Sequence, residues 1–251
     1  MRWLALYILL SLTSCLSYLP PSSLHVDMLP SRHALLKDSL QNESQLLDLQ
    51  AYAHRGYYHH KSDPEIEDNK GFTGILGYSF AERHHSIAIG SAYSLGDMID
   101  NDGNRYKYSN LMLRSSFSVD QHDGKWHYNL LKFQMAASKG FGSYQRFLAL
   151  GADKRDSYNL AVLPDSWYYS LGIGSAMYHY SYNGQRSGMY FGYARGTDFD
   201  QEGFRSDIFS LQLEYLRAKG LGFQLGGMLD ARFSPGGETV YLGLSYDLLN
   251  R

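Results

Sequence analysis

"TVYLGLSYDLL", residues 239 to 249, alternates with a period of two. Val240, Leu242, Leu244, Tyr246 and Leu248 fall on one side of an extended chain, and Tyr241, Gly243, Ser245 and Asp247 on the other. The fold turns on which side faces the protein. In a sandwich the apolar side packs against a second sheet. In a barrel that spans a bilayer it meets lipid, and the small and polar side fills the interior. One strand fits both arrangements, so the rest of the chain has to decide.

The alternation recurs. In "LGFQLGGMLDARF", residues 221 to 233, Leu221, Phe223, Leu225, Leu229, Ala231 and Phe233 oppose Gly222, Gln224, Gly226, Met228, Asp230 and Arg232. Phe209, Leu211, Leu213 and Tyr215 oppose Ser210, Gln212 and Glu214; Leu111, Leu113, Phe117 and Val119 oppose Asn110, Met112 and Arg114; Leu131, Phe133 and Met135 oppose Lys132 and Gln134. From Gln45 onward about ten such segments are separated by turn signals. Their polar sides carry Asp48, Arg114, Lys132, Glu214, Asp230, Arg232 and Asp247. The composition agrees: 25 Gly and 22 Tyr suit pleated strands with close backbone approaches better than helices. A net charge of -2 gives no reason to expect nucleic acid. No apolar run reaches the roughly 18 residues of a membrane helix, so a membrane crossing would be made by strands.

The connections discriminate, because long and short ones take turns. A long link (Tyr58 to Lys70) precedes the tight "AERHH"; "SLGDMIDNDGNR" precedes the short "DQHDGK"; the very long segment Gly140 to Asp165 precedes "NGQR"; "TDFDQEGFRSD" precedes "RAKG", and "SPGGE" comes last. An up-and-down barrel threaded through a membrane has this asymmetry, and a sandwich with crossover connections has no reason for it. The prediction is an all-β, antiparallel transmembrane barrel of about ten strands over residues 45–251, with eight or twelve as alternatives and a soluble barrel or sandwich as the rival. Twelve strands would absorb "SYQRFLALGADKRDSYNLAVLP". Lipid-facing Tyr57, Trp167, Tyr169 and Tyr193 would lie near the outer rim and Tyr78, Phe80, Tyr215 and Tyr246 near the inner one. Trp126 and Tyr128 are out of phase with their strand, which asks for a bulge or an end below the membrane. The pattern resembles the bacterial outer-membrane β-barrels as an architectural class, which implies an outer-membrane location with lipid and lipopolysaccharide as surroundings.

The N-terminal region reads differently. Arg2 and an apolar run to Leu12 suit a secretory signal over residues 1–14. Leu12-Thr13-Ser14-Cys15 resembles the bacterial lipobox, which implies a lipidated Cys15 at the start of a tether over residues 15–44. A barrel with a lipobox suggests an envelope of the Bacteroidetes type. Cys15 is the chain's one cysteine, so no disulfide framework exists. Within the tether, Ser31 followed by "RHALLKDSLQ" predicts a short helix, capped by Ser31, that rests on the barrel mouth or serves as a spacer.

Candidate chemistry is sparse. His179-Tyr180-Ser181 with Asn183-Gly184 resembles the His-x-Ser motif of outer-membrane lipid A deacylases, in which a histidine activates the serine and a carboxylate orients the histidine. No Asp or Glu follows until Asp198, and the pair falls beside the tight "NGQR" turn, away from the outer leaflet. His59 and His60 with Asp63, Glu65, Glu67 and Asp68, and Asp97, Asp100 and Asp102, lack a metal-ligand spacing and read as solvated acidic loops, joined by Asp198, Asp200 and Glu202. No metal or cofactor is predicted. The charges on the polar sides are balanced in sign and crowded for a narrow barrel, so they are expected to pair and close it. The leading expectation is a non-enzymatic barrel lipoprotein acting as a structural or accessory component of an envelope complex with other envelope proteins; a lipid A-modifying hydrolase and a small channel are the alternatives.

Overall fold

The computed structural model describes residues 32–34, 43–57, 66–100, 103–143, 167–181, 185–198, 205–216, 221–230 and 238–249. Ten strands run through them: β1 (Glu43–Tyr57), β2 (Ile66–Glu82), β3 (His85–Asp100), β4 (Arg105–Asp123), β5 (Trp126–Phe141), β6 (Trp167–Tyr180), β7 (Arg186–Asp198), β8 (Arg205–Leu216), β9 (Leu221–Asp230) and β10 (Glu238–Asp247). Each pairs antiparallel with its neighbours in sequence, and β1 pairs with β10 from Asp48↔Asp247 to Tyr57↔Glu238 to close the ring. Because β5 pairs directly with β6, from Trp126↔His179 to Lys139↔Trp167, the segment between them adds no strand to the ring. The twelve-strand alternative is thereby corrected, and so is the eight-strand one.

The side chains settle the orientation. Leu211, Leu225 and Leu242 are 47%, 50% and 59% exposed on the outside, whereas Asp48, Glu214 and Lys132 are 1%, 6% and 1% exposed inside. In β10, Val240, Leu242, Leu244 and Tyr246 point out and Tyr241, Gly243, Ser245 and Asp247 point in. An apolar belt around a ring without free edges, enclosing a polar interior, is the build of an outer-membrane-type barrel. A soluble barrel or sandwich would bury the leucines, so the chain spans a membrane with its strands, and its place is the bacterial outer membrane. Exposed Tyr78, Tyr215 and Tyr246 lie towards the tight-turn end and exposed Tyr93 and Trp167 towards the other, where Tyr169 and Tyr193 are half-buried.

Register explains the abundance of tyrosine and glycine. Tyr52 stands opposite Gly243, Tyr241 opposite Gly226, Tyr108 opposite Gly96 and Tyr178 opposite Gly188. In each pair the ring occupies the space that a Cβ on the glycine would take. The rings therefore lie along the wall, covering backbone that would otherwise lack packing. At the tight-turn end, β4 and β5 are joined by Gly124 and Lys125, with Gly124 at φ +57, as a two-residue hairpin turn asks of its first central position.

Trp126 and Tyr128 are accounted for by a bulge. The register of β5 shifts between Asn129 and Lys132, and Leu130 and Leu131 are both exposed, so the parity of the strand reverses there. The inward residues thus change from Lys132 and Gln134 to His127 and Asn129. Strand length is a correction to the sequence reading. β1 to β5 run for 15, 17, 16, 19 and 16 residues, beyond the roughly 9–11 that cross a bilayer, and parts of the long links predicted at 58–70 and 94–105 belong to strands.

Candidate functional site in the barrel lumen

The lumen holds a piece of the N-terminal segment. Arg32, His33 and Ala34 lie inside the ring, buried, without regular secondary structure, and pinned to five strands. Arg32 bridges Asp48 on β1 at 3.5 Å and Glu214 on β8 at 3.2 Å. The two ring nitrogens of His33 bond Ser86 Oγ on β3 and Ser116 Oγ on β4, each at 2.7 Å, so one donates and the other accepts. The Ala34 N–H donates to Ser79 Oγ on β2 at 2.6 Å, and its methyl belongs to a buried apolar cluster with Leu46 and Ala81. The predicted helix is corrected over these three residues, because their polar groups are met by the wall and not by a helical turn. The rest of that prediction, with Leu35, Leu36 and Leu40, lies outside the described residues.

Two polar networks surround this segment. In the first, Arg186 on β7 donates to Glu214, so that carboxylate receives two guanidinium groups; Gln50 donates to Asp48, and Tyr52 donates to Gln50. Arg186 also lies over the Tyr178 ring at 5.1 Å and Lys132 over that of Tyr190 at 5.3 Å, contacts that suit cations in a dry interior. In the second, towards the tight-turn end, Ser118 and Asn129 each donate to Asp120 at 2.6 Å, with His127 Nε2 at 3.8 Å from the same carboxylate. Asp120 and His127 sit beyond the bulge that turns β5 inward again.

Of the residues singled out from sequence, Asp48, Arg114, Lys132, Glu214 and Asp247 are buried on the inner wall. The structure brings Asp48 and Glu214 together through Arg32, while Asp247 accepts the Leu249 N–H at 3.0 Å. Asp230 belongs to β9, its side chain outside the described residues, as are Arg232 and Cys15 altogether. Sequence reasoning missed Arg32, His33 and Arg186. Arg186 was recoverable, since it shares the inward parity of Gly188 and Tyr190; the other two lie in a stretch without periodicity. His179 packs its ring on Trp126 at 4.7 Å, and the Ser181 hydroxyl accepts the Gln185 N–H at 3.2 Å within the turn. Among the described residues no carboxylate pairs with His179, and no cluster of three or more His, Cys, Asp or Glu forms a metal-binding group. His59, His60, Asp63, Glu65, Asp102, Asp200 and Glu202 lie outside the described residues.

No family model matches the chain, and no curated protein matches it. Solved structures that resemble it include the β domain of the Bordetella autotransporter BrkA, at 10% identity over 80% of this chain and 98% of that one with a TM-score of 0.47. An outer membrane channel from Pseudomonas putida F1 matches at 10% identity over 87% and 99%, TM-score 0.45. LpxR from Salmonella typhimurium matches at 8% identity over 81% and 99%, TM-score 0.42. What is shared at this level is the shape of a barrel.

Proposed function

We propose that the chain is a closed, non-enzymatic barrel that serves as a membrane-seated component of an envelope complex, held in addition by a lipid on Cys15. The observation that carries closure is the seat of Arg32, His33 and Ala34: one segment bonded to β1, β2, β3, β4 and β8 spans the bore. The length of β1 to β5 supports the accessory role. Strands of 15 to 19 residues raise a hydrogen-bonded wall beyond the hydrocarbon, where it meets lipopolysaccharide and protein partners rather than acyl chains. The test has two parts. Planar bilayers containing the full chain at pH 7.5 should show no unit conductance, and steady conductance there would sink the closed reading. Purification in mild detergent should bring along envelope proteins in fixed ratio, lost or weakened in a Cys15→Ser variant, whereas a chain recovered alone from both would sink the accessory reading.

A further inference from the structure

We infer that the barrel is a latent pore gated by its own Arg32-His33-Ala34 segment, which leaves its seat when His33 takes up a proton. The inference rests on the closed reading at neutral pH and adds how the closure is undone. Three observations carry it.

First, the segment is attached by side chains. It joins no strand ladder among the described residues; it is held by an arginine between two carboxylates, an imidazole between two hydroxyls and one N–H on a hydroxyl. Leaving such a seat breaks side-chain contacts only, and the strand ladders of the wall stay intact.

Second, the wall is shaped around a bore. The large inward rings of Tyr52, Tyr108, Tyr178 and Tyr241 lie over glycines of adjacent strands and so do not project across the axis. Thr73 Oγ1, Ser94 Oγ, Ser245 Oγ and both polar atoms of the Gln224 amide are buried without a hydrogen-bond partner among the described residues. Groups of this kind are ordinarily met by water, so the wall beyond the segment carries polar groups that water would satisfy once the segment leaves.

Third, the groups nearest His33 are cations, which oppose its protonation. Among the described residues, the titratable and charged groups that interact with Arg32 or His33 are Asp48 and Tyr52 from β1, Arg114 from β4, His127 and Lys132 from β5, Tyr178 and Tyr180 from β6 and Glu214 from β8, with Arg186 from β7 on the same Glu214 carboxylate. A proton on His33 adds a further cation beside Arg32, Arg114 and Lys132 in a closed space. Burial first, and then the positive charges of Lys132 and Arg114, hold the seated imidazole well below its usual 6.5. A group depressed in the seated state stabilises that state above the free value and loses this contribution as pH falls. Seating should therefore weaken by up to about tenfold per pH unit below about 6.5, until the seated imidazole itself titrates.

The test uses the full chain in planar bilayers, with heat-modifiable gel mobility to show that each variant is folded. The unaltered chain should be silent at pH 7.5 and open at least about tenfold more often at pH 5.5. Arg32→Ala with His33→Ala should conduct at both pH values. In a Cys15→Ser background, Ala34→Cys with Ser79→Cys should form a disulfide that keeps the barrel silent at pH 5.5 until reductant is added. Silence of the folded double-alanine variant at both pH values would overturn the gate. So would equal acid-induced conductance of the disulfide-locked chain before and after reduction, a comparison that holds even if the alanine variant fails to fold. Conductance of the unaltered chain at pH 7.5 would instead remove the closed reading.

Discussion

Glu214 is the residue on which the inner charges converge. It receives Arg186 and Arg32 while 6% exposed, and Arg32 carries the link on to Asp48. Removing one side of a buried ion pair strands the other, at a cost of about 3–5 kcal/mol. Glu214→Ala should lower stability by about that amount in urea unfolding from phospholipid vesicles, because two guanidinium groups lose their shared partner. Arg32→Ala should cost less, since Glu214 keeps Arg186. Equal losses in the two variants would show that Arg32, not Glu214, is the node.

At the scale of elements, the ladder is held in register by tyrosines that fit over glycines. Gly243→Val would place its side chain where the Tyr52 ring lies, so it should destabilise the barrel by about 1–3 kcal/mol through overpacking. Gly74 faces outward with nothing within 4 Å of a Cβ, and Gly74→Val should stay within about 0.5 kcal/mol. Comparable unfolding curves for the two variants would refute this account of the glycines. These pairs were not legible in the sequence, because Tyr52 and Gly243 meet only once the register across β1 and β10 is known. What was legible is the facing of β4, β8, β9 and β10, where Leu and Phe on lipid contrast with Gly, Gln and Ser inside. The contrast reverses at the far end of β3, where Asp97 is on the outward parity and Met98 is buried inside, which is why that stretch read as loop. A bulge reverses parity without altering composition, so the sequence announced the one at Leu130 and Leu131 only as a phase error at Trp126. The candidate site was half legible: Asp48 and Glu214 stand in periodic strands, but the segment that joins them has no period to read.

For the whole molecule, the account depends on the belt lying in hydrocarbon, and depth along one strand tests it. Leu242 stands midway along β10 and is 59% exposed; Tyr246 is four residues on, one before the strand ends at the tight-turn rim, and 46% exposed. On the surface of a soluble protein, arginine at either position would meet water and the two variants would behave alike. In a bilayer the penalty follows depth, about 2–4 kcal/mol for arginine at the midplane and about 0–1 near the interface. Leu242→Arg should therefore lose stability against urea in vesicles by several-fold more than Tyr246→Arg, although both replace an outward residue of the same strand. The difference should shrink in thinner bilayers, as the midplane moves closer to headgroups and water. Equal penalties at the two positions, unchanged by bilayer thickness, would place the leucines outside the hydrocarbon and remove the physical reason for a polar, charge-paired lumen that holds Arg32, His33 and Ala34.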